Sequence, residues 1–424
     1  MEKKMTKFSG YLVALGATLV LFVHNGVMGT LGLFLPEFAS GLNASVTAVS
    51  LGLTISSIVA FVISLFAGKL LVSFSPKYML LLASVTCCLQ CVVYGSATSV
   101  YVLYAAAVIE GVTTGIGTTT AISAVVKEWF VEKREAVIGY VIGGAMIGSA
   151  LYNLAAGMFI SGLGWRYAYY ALAATALIIA VPANLILIKK SPASVGQKAL
   201  GWEKEAELEA QLYMEEGSLG ISAGAAAKTA SFWLILICGG LFAGMSMGFI
   251  TYAPTFWQDL GMDALVSSRY FTAFSLLSVV FTMLSGKVAE KFGNIAFILY
   301  LHIAFIVGLV VAILAGINSP VMIIISVVGA AIGFACYTTM LPTITTEVFG
   351  SRDFEKITGY FMAANYVGLC LVSPVVGTIR DKTGTFVPAF WLLVIMAALS
   401  MFAIVIAIKN SPMKKLLSRL DDKQ

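Results

Sequence analysis

Long apolar runs separated by short polar stretches make up nearly the whole chain. Each run reaches about 20 residues, the length that an α-helix needs to cross about 30 Å of hydrocarbon. The runs lie near 9–36, 46–72, 77–97, 100–127, 136–161 and 166–189 in the first half, and near 230–257, 264–288, 294–316, 319–346, 355–378 and 384–408 in the second. The pattern predicts an all-α membrane protein with twelve transmembrane helices.

Composition supports this prediction. Of the 424 residues, 59% are hydrophobic and 11% are charged, whereas about 25% of the residues of soluble domains are charged. The mean hydropathy is +0.95. A chain this apolar cannot cover itself with groups that face water, so we expect it to be embedded in a lipid bilayer.

Lys and Arg predict the orientation, because cytoplasmic loops are enriched in these residues. With a cytoplasmic N-terminus only four basic residues face outward, and the other 22 of the 26 face inward. These four are Arg166, Arg269, Arg380 and Lys382. We therefore expect a multi-pass protein of the cell (inner) membrane with both termini in the cytoplasm. The net charge of +5 follows from this topology, so we expect no nucleic-acid partner.

The sequence contains few motifs of enzymes or metalloproteins. All six cysteines lie in apolar runs without neighbouring His or carboxylate residues, so we expect no disulfide framework and no metal site. A phosphate-binding loop of the form G-x-x-x-x-G-K-[ST] is missing, so ATP is not the energy source. We expect no cofactor and no enzymatic activity.

The chain repeats itself. Pro36 recurs 218 residues later as Pro254, and "EWF" at 128–130 recurs 219 residues later as "EVF" at 347–349. Duplicated halves of this kind are related by an axis along the membrane normal, with the substrate site between them near the midplane. We therefore predict an N-terminal six-helix bundle (1–190), a cytoplasmic linker (191–229) and a C-terminal six-helix bundle (230–424).

The linker is the long polar stretch of the chain. Residues 203–216 are rich in charge and predict a short helix at the cytoplasmic surface. One interpretation is a regulatory or docking element, and the other is a solvated tether.

The stretch "GKVAEKFG", Gly286 to Gly293, lies between predicted helices 8 and 9. Its counterpart "GKLLVSFS" has Val72 in place of an acid. The first stretch fits the gating-loop motif Gly-x-x-x-acid-base-x-Gly of the major facilitator superfamily, which the chain resembles over essentially its whole length. The resemblance implies the MFS fold of two pseudo-symmetric bundles, alternating access, and a cytoplasmic latch at Gly286, Glu290 and Lys291.

Four stretches are similar to the oxalate:formate antiporter and monocarboxylate transporter branch: "NGVMGTLGLFLPEF", "KEWFVEKREAVIGYVIGGAMIG", "SPASVGQKALG" and "GTIRDKTGTFVPAF". Two positions differ from the branch. Thr282 stands where helix 8 often has an arginine, and Asn365 stands where the antiporters have a lysine. A guanidinium is the natural partner of a carboxylate. The resemblance therefore implies an organic acid, and the two differences argue against a small, highly charged one.

An ionisable residue interrupts the first apolar run. His24 lies within "TLVLFVHNGVMGTLGLFLPEF" (18–38), with no charge between Lys7 and Glu37. It is roughly 22 Å from the cytoplasmic end of helix 1, and Glu110 is roughly 25 Å from the same end of helix 4. Ionisable groups inside a membrane are costly and mark functional sites. We predict that these two residues lie at a similar depth, share a proton and couple transport to protons.

Structural roles remain open for the same residues. His24 can simply donate a hydrogen bond to a backbone carbonyl. Glu110 can be a structural acid bonded to backbone or hydroxyl groups, with Thr113 and Thr114 one turn away. His302 lies on helix 9, which the superfamily uses as an outer support, and we assign it a structural role.

Further polar residues interrupt the apolar helices and can line a substrate pocket that suits an acid with an apolar body. These are Asn25, Tyr152, Asn153, Tyr252, Thr282, Tyr337, Asn365 and Tyr366. Each can instead make a hydrogen bond between helices, worth about 0.6 kcal/mol.

The sequence thus predicts a secondary active transporter that moves a monocarboxylate-like small organic acid by alternating access, with proton coupling or by exchange. The expected partners are the small-molecule substrate, protons and the lipid bilayer, and the superfamily resemblance suggests a monomer. The alternative is a proton-driven exporter of amphipathic or cationic compounds, with Glu110 as the partner of the cation.

Overall fold

The computed structural model describes part of the chain, and the structural statements below refer to that part. The described residues are 8–117, 119–130, 134–201, 220–315, 319–350, 352–414 and 416.

Nearly all of the described residues are α-helical, because hydrocarbon requires each segment to pair its own backbone groups. The helices of the first half are α1 (Phe8–Gly29), α2 (Leu31–Gly41), α3 (Val46–Ser73), α4 (Pro76–Gly95), α5 (Val100–Gly117), α6 (Thr119–Trp129), α7 (Arg134–Leu163) and α8 (Trp165–Thr175). Those that follow are α9 (Ala223–Ala226), α10 (Ala230–Asp259), α11 (Ala264–Phe292), α12 (Asn294–Ala315), α13 (Pro320–Phe349), α14 (Phe354–Thr383) and α15 (Val387–Lys409).

Eleven segments of the described residues are long and apolar enough to cross a membrane. The predicted tenth helix corresponds to α13, in which the apolar stretch found among the described residues is Pro320–Phe334. The all-α membrane architecture is confirmed and is consistent with twelve transmembrane helices.

Several predicted helices are not continuous. The run at 9–36 forms α1 and α2, which are separated at Thr30, and the run at 100–127 forms α5 and α6. The sixth run continues from α8 into π-helical turns at Ala176–Ala180 and Ala183–Leu187. Apolar patterning does not show such interruptions, because a broken helix can remain apolar throughout.

The contacts divide the chain into two units. The first unit comprises Met1–Leu208 and Met262–Leu276, and the second comprises Glu209–Gly261 and Leu277–Gln424. The division at 190 and 230 describes the sequence repeat and stays a prediction.

Glycines bring α7 close to α1 in the first unit. A Cβ on Gly148 would overlap the backbone carbonyl of Phe22, and a Cβ on Gly144 would overlap the Thr18 methyl group. Gly143 has open space at the same position. Small residues allow this approach between membrane helices, and Gly148 lies at the closest contact with the α1 backbone.

Arginines tie helix ends together in each unit. In the first, Arg166 Nη1 donates to the Ala97 carbonyl at 2.6 Å, and its guanidinium lies 4.2 Å from the ring centre of Trp165. In the second, Arg380 Nη2 lies 2.6 Å from Asp259 Oδ1. These contacts join the end of α4 to the start of α8, and the end of α10 to the end of α14.

The two ends of the linker make the same kind of contact. Leu200 N–H donates to the Trp129 carbonyl at 2.8 Å, and Ile221 N–H donates to the Phe349 carbonyl at 2.8 Å. Each bond satisfies a carbonyl at the C-terminal end of a helix, where no partner exists within the helix. The charged segment predicted at 203–216 lies outside the described residues.

We expect Gly148→Ala to destabilise the protein by about 1–3 kcal/mol, because the added methyl group must displace the α1 backbone. Gly143→Ala is the matched control on the same helix, and we expect it to be neutral or stabilising by up to about 1 kcal/mol. Thermal unfolding of both variants in detergent tests the contact. Equal melting temperatures for the two would contradict it.

Candidate functional site

Glu110 is held inside the first unit by hydroxyl groups. It lies on α5 and is 2% exposed. Tyr94, on α4, donates its hydroxyl to Glu110 Oε2 at 2.6 Å, and the side chain of Ser56, on α3, also bonds to the carboxyl. Among the described residues no Lys or Arg side chain forms an ion pair with it. The acid therefore sits between three helices without a cationic partner.

Aromatic rings surround the tyrosine that binds Glu110. The ring of Tyr94 stacks on those of Tyr169 and Phe38, with centroids 5.2 and 5.7 Å apart, and Phe38 also meets Trp165 edge-on at 5.2 Å. Such packing leaves Tyr94 5% exposed and restricts its ring. The hydroxyl is consequently aimed at Glu110 by the shape of the cluster.

His24 lies elsewhere in the first unit. Its ring packs against Gly117, the last residue of α5, where an added Cβ would come within 3.2 Å of Cε1. The imidazole hydrogen-bonds to the backbone of Gly117, while Nε2 is buried without a partner. The structural role considered for His24 thus accounts for one of its two nitrogens and leaves the other available.

A small cavity adjoins the His24 ring. It has about 10 Å³ of space for the centre of a water molecule, which is about the room that one water needs. The lining residues come from α1, α4 and α5, and are Leu21, His24, Asn25, Met28, Cys87, Gln90, Thr113, Thr114 and Gly117. Most of them offer a polar or polarisable atom to whatever occupies the space.

The structure separates His24 from Glu110. Gly117, which the His24 ring contacts, follows Glu110 by seven residues on α5, and seven residues are about 10 Å or two helical turns. No hydrogen bond or ion pair joins the two side chains, both of which are described. The expectation of equal depth is wrong, because residue counts from the helix ends ignore tilt and the interruption after Gly117.

Three of the predicted pocket residues form bonds between helices. Asn153, which is fully buried, donates from Nδ2 to the Gly29 and Ser149 carbonyls at 3.0 and 2.8 Å. It therefore satisfies a carbonyl at the α1–α2 interruption. Its neighbour Tyr152 donates to the Thr175 hydroxyl at 2.8 Å.

In the second unit, Tyr252 is fully buried and donates to the Ser373 carbonyl at 3.0 Å. For Tyr152, Asn153 and Tyr252, the alternative role as interhelical bonds fits the observed contacts.

The other predicted residues divide by exposure. Asn25 is exposed and lines the cavity beside His24, while Thr282, Asn365 and Tyr366 are half-buried in the second unit. Lys291 is exposed. The side chains of Tyr337, Gly286 and Glu290 lie outside the described part of the structure.

His302 has the structural contacts expected of it. It is fully buried in the second unit, with Nδ1 2.9 Å from the Ile298 carbonyl and Nε2 3.3 Å from the Ser400 hydroxyl. The same hydroxyl lies 3.1 Å from Cys238 Sγ. This chain of bonds connects α10, α12 and α15.

The sequence interpretation missed Tyr94, Ser56 and Gln90. Tyr94 and Gln90 lie on helix 3, which the superfamily resemblance assigned to the outer supports. The available signal was the spacing of four residues between them, which places both on one face of α4.

Comparison with known proteins follows from this architecture. The profile of the Major Facilitator Superfamily matches residues 17–368 and again residues 235–422. The chain belongs to this superfamily. It is therefore a multi-pass membrane transporter of the secondary-active type and not an enzyme.

Solved structures of superfamily transporters resemble it throughout. The nucleoside transporter NupG has a TM-score of 0.74 at 14% identity, over 95% of this chain and 99% of that one. The xylose transporter XylE from E. coli has a TM-score of 0.69 at 14% identity, over 93% and 98%. The peptide transporter POT has a TM-score of 0.73 at 13% identity, over 97% of both. No curated protein matches the chain. Similarity at this level of identity concerns the fold.

We expect Tyr94→Phe to lower the free energy of unfolding by about 1–3 kcal/mol, because it leaves the buried Glu110 carboxyl with one partner fewer. Tyr101→Phe is the matched control, since Tyr101 is 81% exposed, and we expect a change within about 0.5 kcal/mol. Chemical unfolding in detergent measures both. Equal losses would show that the Tyr94 bond does not support the acid.

Proposed function

We propose that this transporter couples the movement of a weakly charged organic acid to protons, through Glu110 and His24. The observation that carries the proposal is the environment of Glu110, an acid buried inside the first unit and bonded to the hydroxyls of Tyr94 and Ser56. A carboxyl group in such a place is stable with a bound proton, because nothing nearby compensates a negative charge. Exposure to water would allow the proton to leave.

Alternating access provides that exposure. A group that is dry in one state and hydrated in another binds and releases a proton in the course of the cycle. Glu110 meets the dry condition in the described conformation. Its two hydroxyl partners stabilise the bound state and can accompany either protonation form, because a hydroxyl both donates and accepts.

His24 is the second proton site in this proposal. Its free Nε2 and the adjoining cavity distinguish it from His302, both of whose nitrogens are bonded. Since His24 and Glu110 are separated by about two turns of α5, we propose that a proton moves between them in steps through the polar lining.

The substrate class rests on the resemblance to the oxalate:formate antiporter and monocarboxylate transporter branch. Lys and Arg are missing from the middle third of every predicted segment, which disfavours a dianion. A monocarboxylate with an apolar body can share its charge with a proton and use polar groups such as Asn25 and Asn365. We also propose an inner-membrane location, cytoplasmic termini and a monomeric state.

Uptake into proteoliposomes tests the proposal. We expect a pH gradient, acidic outside, to drive accumulation of one or more of formate, lactate and benzoate by the wild-type protein. Glu110→Gln should abolish this uphill uptake and retain exchange of labelled for unlabelled substrate, because the amide keeps the volume and binds no proton. Glu128→Gln, at an exposed carboxyl on α6, is the control and should retain both activities.

Uphill transport by Glu110→Gln at the wild-type rate would refute the coupling role. The exporter of amphipathic or cationic compounds is distinguished in the same vesicles. Proton-driven flux of a lipophilic cation such as tetraphenylphosphonium, with no flux of any acid in the panel, would replace the organic-acid proposal by that alternative.

A further inference from the structure

Two buried polar atoms without partners belong to residues that line the same cavity. One is His24 Nε2 on α1, and the other is Gln90 Oε1 on α4; the two residues are 5% and 1% exposed. A buried polar atom without a partner costs about 1–3 kcal/mol. Two such atoms around one small cavity therefore indicate an occupant that bonds to both.

The chemistry of the two atoms restricts the occupant. Because His24 donates its other hydrogen bond to the Gly117 backbone, Nδ1 carries the proton and Nε2 of the neutral ring is an acceptor. The amide oxygen Gln90 Oε1 is also an acceptor. Two acceptors need a molecule with two donors, and a water molecule has two.

The size of the cavity agrees with one water. Its space of about 10 Å³ is close to the minimum for a single water, which needs two to four polar partners. The Asn25 amide, which lines the same cavity, is a donor available to the water oxygen. A hydrated metal ion or a carboxylate substrate is too large for this space.

We propose that one water molecule bridges His24 Nε2 and Gln90 Oε1, and that Gln90 is thereby a positioning residue for the imidazole. The water fixes Nε2 as the basic nitrogen and keeps it in contact with a mobile proton carrier. The consequence for transport rests on the proposed function, but the water site itself does not.

Nitrogen magnetic resonance tests the site without transport. The chain contains two histidines, so histidine labelled with 15N in the full-length protein, reconstituted in lipid bilayers, gives two ring systems. We expect magnetisation from water protons to reach Nε2 of His24, which should carry no hydrogen. Gln90→Met keeps a similar volume without the acceptor, and we expect loss of this transfer and a shift of the Nε2 resonance.

Two controls accompany the variant. The His302 signals should be unchanged in Gln90→Met, and Cys88→Ala, a half-buried residue of α4 outside the lining, should retain the transfer. Absence of water transfer in the wild type, a proton on Nε2, or transfer that persists in Gln90→Met would each overturn the inference. The wild-type measurement decides the question alone if Gln90→Met does not fold. Failure of proton-driven uptake with an intact water signal would reject the proposed function and leave the site standing.

Discussion

Hydrocarbon cannot solvate a charge, and this constraint governs what each ionisable residue of the helices can do. Glu110 is enclosed by three helices, and its carboxyl finds hydroxyl groups from Tyr94 and Ser56 where a soluble protein would supply water. Such hydroxyls satisfy the acid but do not neutralise a negative charge, so the proton has to do that. Packing and proton binding are therefore one property of this site, and the aromatic rings that fix Tyr94 contribute to both.

The same constraint explains why the polar groups of the first unit follow a seam. Glu110, Thr113 and Gly117 lie along α5, and Gln90 and Tyr94 lie one turn apart on α4. Each polar atom there either bonds to a neighbour or lines the cavity beside His24. Spreading the two titratable groups over two turns avoids a buried ion pair, whose desolvation cost can exceed its attraction. It also makes each group responsive to local hydration rather than to the charge of the other.

Hydropathy alone predicted the helices, because the thickness of the bilayer sets their length regardless of tertiary contacts. It could not predict the interruption at Thr30 or the one after Gly117, since both occur within apolar sequence. His24 and Glu110 were recognisable because ionisable residues are rare inside a membrane. Tyr94 and Gln90 were missed because an amide or a phenol in an apolar helix is ordinary, and its importance depends on what it faces. Asn153 shows the converse, since its bond to the Gly29 carbonyl depends on a break that the sequence did not show.

The internal repeat separates packing from function. Two halves that descend from one six-helix unit need similar side chains where these serve only to pack the helices. The positions 218 residues after His24, Gln90 and Tyr94 are occupied by Phe242, Gly308 and Ala312, and neither residue 218 nor residue 219 positions after Glu110 (Val328, Gly329) can titrate. Phe242 and Ala312 are buried in the second unit, so the fold accepts apolar residues at these places. The acid, the imidazole and their polar partners are thus not required by the architecture, and a costly set of groups retained in one half alone is best explained by the work that this half performs on protons.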